Sequence, residues 1–98
     1  MTDPHAAMRD EVFRRVLGGP GESEPALRQA VAEDVSVPPD LQRLVTKIHA
    51  HAYQVTDDDV AQVQAQYGDD KLFEIIVSAA VGASRKRLLL ALAALEEA

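Results

Sequence analysis

The chain has 98 residues, 47% of them hydrophobic, and a formal net charge of −6, which suits one small domain with an ordinary core fraction. The acidic balance excludes non-specific binding to nucleic acid or anionic membrane, since both rely on basic surface. The absence of cysteine removes disulfides, thiol redox chemistry, thiolate nucleophiles and cysteine-ligated zinc together.

Much of the hydrophobic fraction is alanine, and the only aromatics are Phe13, Tyr53, Tyr67 and Phe73. Such a core favours close helix packing, and a small domain with few large side chains often buries more apolar area by self-association. The opening MTDPHAAMRDE has early acids and no apolar run, so no secretory leader is expected. Glu74, Ser78 and Arg85-Lys86-Arg87 interrupt the longest apolar stretches, which fall short of the roughly 20 residues that span a bilayer. The expectation is a soluble cytoplasmic protein.

Asp3-Pro4 reads as the start of a first helix, with Asp as N-cap and Pro where its missing N–H costs nothing. Met8, Val12, Phe13, Val16 and Leu17 share one face of it. Gly18-Gly19-Pro20-Gly21 ends the helix. No Gly-Lys-Ser/Thr follows these glycines and no buried strand precedes them, so they form a turn and not a phosphate loop. Ser23-Glu24-Pro25 restarts a short helix to about Asp34, with Leu27, Ala30 and Val31 inward. The prolines of VSVPP then hold an extended connector.

A third helix is predicted from Pro39-Asp40 to about Tyr53, with Leu41, Leu44, Val45, Ile48 and Ala52 as its core stripe. Thr56 caps a fourth helix whose first turn carries Asp57, Asp58 and Asp59. Three consecutive aspartates point in different directions on a helix and lack the alternation and glycine of a calcium loop. They suit the positive end of the helix dipole and a Thr-x-x-Asp cap, so no metal is expected. Val60, Val63 and Tyr67 face inward, and Gly68 terminates the helix.

Asp69-Asp70 caps a long last helix that is apolar nearly all round from Leu72 to Val81, the pattern of a helix buried on most sides. Gly82, Ala83 and Ser84 permit a close crossing or a bend before Arg85-Lys86-Arg87. The basic triplet is expected on a solvated face or bridged to the Asp-rich turn. Leu88, Leu89, Leu90, Leu92 and Leu95 follow. A continuous helix from Leu72 to Leu95 would be about 36 Å long, beyond a body of roughly 30 Å, which implies a break or a partner subunit. No strand pattern and no internal repeat occurs.

From Pro39 to Leu95 the chain resembles the carboxymuconolactone decarboxylase and AhpD-like superfamily. The resemblance rests on LQRLVTKIHAHAY, on the Val55-Thr56-Asp57-Asp58-Asp59-Val60 cap, and on the junction Tyr67-Gly68-Asp69-Asp70-Lys71-Leu72-Phe73-Glu74-Ile75. It implies an all-α, AhpD-like domain of about five helices with a long C-terminal helix. Residues 39–98 would be the family core and residues 1–38 an N-terminal extension of the same single domain. It also implies a homo-oligomer, often a trimer or hexamer in such proteins.

The peroxidases of that superfamily carry Cys-x-x-Cys-x-x-x-His before the cap. Placing His49 on the motif histidine puts Gln42 and Val45 at the cysteines, whereas counting from Thr56 puts Thr46 on the histidine. Neither placement supplies a thiolate, so peroxidase chemistry is excluded.

Acid–base work remains open to a cysteine-free chain. His49, His51, Tyr53 and Glu74, with Lys47, are the candidate catalytic residues, because histidine titrates near neutral pH. The rings of His49 and His51 stand about 200° apart on a helix, so they do not converge on one metal or substrate. Glu74 lies within LFEIIV, where Lys71 or Arg85-Lys86-Arg87 would be its counter-charges.

Two functions follow. One is a non-redox homo-oligomeric binding or assembly module whose small-molecule ligand or protein partner is unspecified. The other is a cofactor-free lyase or isomerase of the carboxymuconolactone decarboxylase type that uses histidine acid–base chemistry.

Overall fold

The long helix sets the frame. In the computed structural model, which describes residues 5–97, α1 (Ala6–Gly18), α2 (Pro25–Glu33), α3 (Pro39–His51) and α4 (Asp57–Tyr67) pack along α5 (Asp69–Glu97). A single 3-10 turn, Ala52–Gln54, separates α3 from α4, and no strand occurs among the described residues. The described residues form an all-α fold with five α-helices. The 29 residues of α5 span about 43 Å at 1.5 Å per residue, close to the 45 Å long axis of the molecule. The helix is continuous through Gly82–Arg87.

The stripe of α3 packs as its spacing requires: Leu41, Leu44, Val45 and Ile48 are all buried. Val31 of α2, Val63 of α4, and Leu72, Ile75 and Ala79 of α5 join them in one core cluster. α2 therefore contributes to the same core as α3, α4 and α5. α2 in fact makes the most extensive packing with α5.

That contact explains Gly82. A Cβ at this position would run into the backbone of Ala32, its carbonyl oxygen first. Only a residue without a side chain lets α2 and α5 approach so closely.

The cap of α4 forms as the sequence implies. The Thr56 hydroxyl accepts from the Asp59 N–H at 3.2 Å, and the Asp59 carboxylate accepts from the Thr56 N–H at 3.0 Å, a reciprocal capping box.

Several expectations are corrected. On α1, Met8 and Val12 are exposed and only Leu17 is buried, because α1 meets α2 and barely reaches α5. The Asp3-Pro4 start lies outside the described residues. Ala52 is exposed, since α3 yields to the 3-10 turn at that point. α5 is not buried on most sides: Leu72, Ile75, Ser78, Ala79, Gly82 and Ala83 are covered, while Phe73 and Ala80 face outward. Of its other apolar residues, Ile76, Val77, Val81, Leu88 and Leu92 are half-buried, while Leu89, Leu90 and Leu95 are exposed.

Candidate functional site

The turn between α1 and α2 is gripped from two sides by charged groups. Glu74, in the second turn of α5, accepts hydrogen bonds from the Glu22 N–H at 2.7 Å, the Ser23 N–H at 2.9 Å and the Ser23 hydroxyl at 2.5 Å. These donors, the Ser23 hydroxyl above all, hold its carboxyl down at about 2. Arg28 of α2 is buried and donates to the carbonyls of Val16, at 2.9 Å, and of Gly19. A Cβ on Gly21 would come within 2.5 Å of Glu74 Oε1, so a larger residue there would push the end of the Glu74 side chain aside. Neither Lys71 nor the basic triplet is the hydrogen-bonding partner of Glu74. The chain path delivers backbone N–H groups instead.

A second acid centre lies at the start of α4. Asp59 is buried, receives Lys47 Nζ at 2.6 Å and pairs with Arg43 Nε at 3.0 Å. The Lys47 hydrogen bond and the capping N–H of Thr56 outweigh its desolvation and lower its pKa to about 2. It is thus a paired structural anion bridging α3 and α4. Tyr67 adds a parallel tie, donating its hydroxyl to Asp40 at 2.7 Å. Burial and that carboxylate push the Tyr67 phenol up to about 12.

The five acid–base candidates do not all converge on one site. His49 Nε2 lies 2.8 Å from the Val31 carbonyl oxygen, and because a carbonyl only accepts, the ring proton sits on Nε2 and ties α3 to α2. His51 is exposed and stands edge-on to the exposed ring of Tyr53, 5.7 Å between centroids. Glu74 is taken up by the α1–α2 turn, and Lys47 by Asp59. His51 and Tyr53 are brought together, whereas His49 pairs with Val31 and Glu74 with Ser23.

Of the two expectations for the basic triplet, the solvated face holds for Lys86 and Arg87, which are exposed, while Arg85 is half-buried. The triplet does not bridge to the Asp-rich turn. Lys86 Nζ donates to the Glu33 carbonyl at 2.6 Å and Arg87 to the His49 carbonyl at 2.9 Å, in the last turns of α2 and α3. Those carbonyls have lost their intrahelical donors and lie at the negative ends of two helix dipoles, so cations are stabilised there. Arg85 lies 5.0 Å from the centroid of the Phe13 ring and 3.5 Å from an Asp10 carboxylate oxygen.

Two concavities result. A groove of about 380 Å³ opens where α1, α2 and α5 meet. Phe13, Leu17 and Leu89 give it an apolar wall, and Arg14, Arg85 and Lys86 face Asp10 and Glu33 around it. A smaller cavity of about 70 Å³ lies between Val16, Arg28, Phe73, Glu74, Val77 and Ser78. Two of its lining residues carry buried polar atoms without a protein partner, Arg28 Nε and Ser78 Oγ. The sequence pointed to neither Arg28 nor Ser78 as a site residue: a lone Arg on a short helix carries no local signal, and Ser78 is legible only as a break in an apolar run. None of His49, His51 and Tyr53 lines either concavity. No group of three or more His, Cys, Asp or Glu able to hold a metal occurs among the described residues, and no helix there is long and apolar enough to cross a membrane.

Comparison with known proteins returns no family model, no curated protein and no solved structure that matches the chain.

Proposed function

We propose that this chain is a non-redox binding or assembly module of AhpD-like type that works as a homo-oligomer, a trimer or hexamer, formed through the C-terminal part of α5. The observation that carries the reading is the course of one stripe. Leu72, Ile75, Ala79, Gly82 and Ala83 are buried at spacings of three and four. The same spacing continues to Lys86, Leu89 and Leu90, which therefore lie on the same face of the helix. There the intramolecular cover ends: Leu89 is 49% and Leu90 73% exposed. A second copy offers the same leucines, and fully burying one leucine is worth about 1.5–3 kcal/mol. The net charge of −6 makes an acidic partner a poor alternative. The chain has no cysteine, so the module does no thiol chemistry.

Light scattering coupled to size exclusion tests the reading. A multimer is expected at tens of micromolar, with Leu90→Glu shifting it to monomer while helicity is kept. A wild-type monomer at that concentration rejects the proposal.

A further inference from the structure

One chain builds the groove between α1, α2 and α5 alone, although Lys86 and Leu89 of its lining also lie on the α5 stripe proposed for self-association. Its volume of about 380 Å³ falls within the range of small-molecule sites, about 300–1,000 Å³. Its wall is apolar, with Phe13, Leu17 and Leu89. Its charges are unbalanced toward the positive: Arg14, Arg85 and Lys86 against Asp10 and Glu33, three cations to two carboxylates. Arg14 is held by Glu11, but Glu11 also takes Arg15, so counting that pair with them leaves the same excess of one. In a chain of net charge −6 this is a local reversal of sign.

The cations retain donors. Lys86 uses one of its three N–H bonds on the Glu33 carbonyl and ion-pairs with no carboxylate among the described residues. Arg85 meets Asp10 through one terminal nitrogen at 3.5 Å, a long contact for a guanidinium with five donors, and the rest of its plane lies near Phe13. An apolar wall next to a cation that lacks a counter-ion fits an amphiphilic anion.

We propose that this groove binds a small monocarboxylate with an aliphatic or aryl body. The hydrocarbon would lie on Phe13, Leu17 and Leu89, and the carboxylate would accept from Lys86 and Arg85. The negative head supplies the counter-charge that Lys86 lacks, and the body covers apolar surface that the three helices leave open.

The test uses octanoate as probe, with octan-1-ol and acetate as the headless and tailless controls. Binding to the full chain is followed by amide and methyl chemical shifts. Octanoate is expected to perturb Phe13, Leu17, Lys86 and Leu89 in a saturable way, to bind at least about tenfold more tightly than octan-1-ol, the worth of one charge-assisted hydrogen bond, and at least about tenfold more tightly than acetate, which lacks the buried hydrocarbon. Lys86→Gln is expected to weaken octanoate about tenfold without changing octanol binding, and Lys86→Arg to restore it. Lys86 is exposed, so both variants should fold, and their thermal unfolding verifies it. Absence of saturable shifts at the groove up to millimolar octanoate overturns the proposal. Octanol binding as tightly as octanoate, or Lys86→Gln leaving octanoate affinity unchanged, does the same. The multimeric state of each variant, recorded alongside, separates failure of this site from failure of self-association through Leu90.

Discussion

Replacing Gly82 by alanine tests the α2–α5 crossing on which the other helices are assembled. The added Cβ would stand 2.5 Å from both the carbonyl carbon and the Cα of Ala32, where ordinary contact begins at 3.4 Å. The Ala32 carbonyl oxygen lies closer still, so the two helices have to separate by more than about 0.9 Å, and the obstructing atoms are backbone, which cannot rotate away as a side chain does. Overpacking of this kind costs about 1–3 kcal/mol, and the rigid neighbour places this site toward the upper end. Alanine returns about 1 kcal/mol as the better helix former in mid-helix.

The net expectation is a loss of about 2 kcal/mol, or a fall in Tm of about 8–16 °C for a domain of this length. Thermal unfolding by circular dichroism reads it directly. Gly18→Ala is the internal control, because nothing lies within 4 Å of a Cβ there. That variant is expected to be neutral or to gain up to about 1 kcal/mol. If Gly82→Ala raises Tm as Gly18→Ala does, the close crossing is wrong.

Acid should destabilise the protein in a defined window. Glu74 and Asp59 are both lowered to about 2 from ordinary values of 4.5 and 3.8, so folding binds fewer protons than the unfolded chain in this range. Their contribution is fully present above the ordinary carboxylate values and is lost as pH falls through about 4 toward 2. Urea unfolding midpoints are expected to be level from pH 7 to 5 and to drop below 4. Glu74→Gln should start lower at pH 7 and drop less steeply, and an unchanged slope would remove Glu74 from the account. Ser78→Ala should stabilise, because the Ser78 hydroxyl is buried without a protein partner. Removing such a group is worth about 1 kcal/mol, and a lowered Tm would show that the hydroxyl is satisfied.

Much of the local structure was legible in the sequence. The α3 stripe and the Thr56–Asp59 cap follow from side-chain spacing and from donors within three or four residues, so they hold wherever the segment lies. The VSVPP connector is not extended throughout as expected: Val35 and Ser36 bend, Ser36 in the left-handed region at φ 57°, and Pro39 already opens α3. The lack of thiol chemistry needs no structure at all. The candidate acid–base residues were chosen by type, and type does not specify a partner.

Only the tertiary structure decided those partners. Glu74 meets Ser23 from 51 residues away, Lys86 meets Glu33 from 53 and Arg87 meets His49 from 38. Over such separations the pairing depends on the path of the chain, which periodicity does not encode. The side of α5 that is covered was undecided for the same reason. Leu72 and Leu90 share one face and one chemistry, yet one is buried and the other exposed, because the packing helices reach only part of the way along α5. Burial depends on which neighbours arrive, and the helix alone does not determine that.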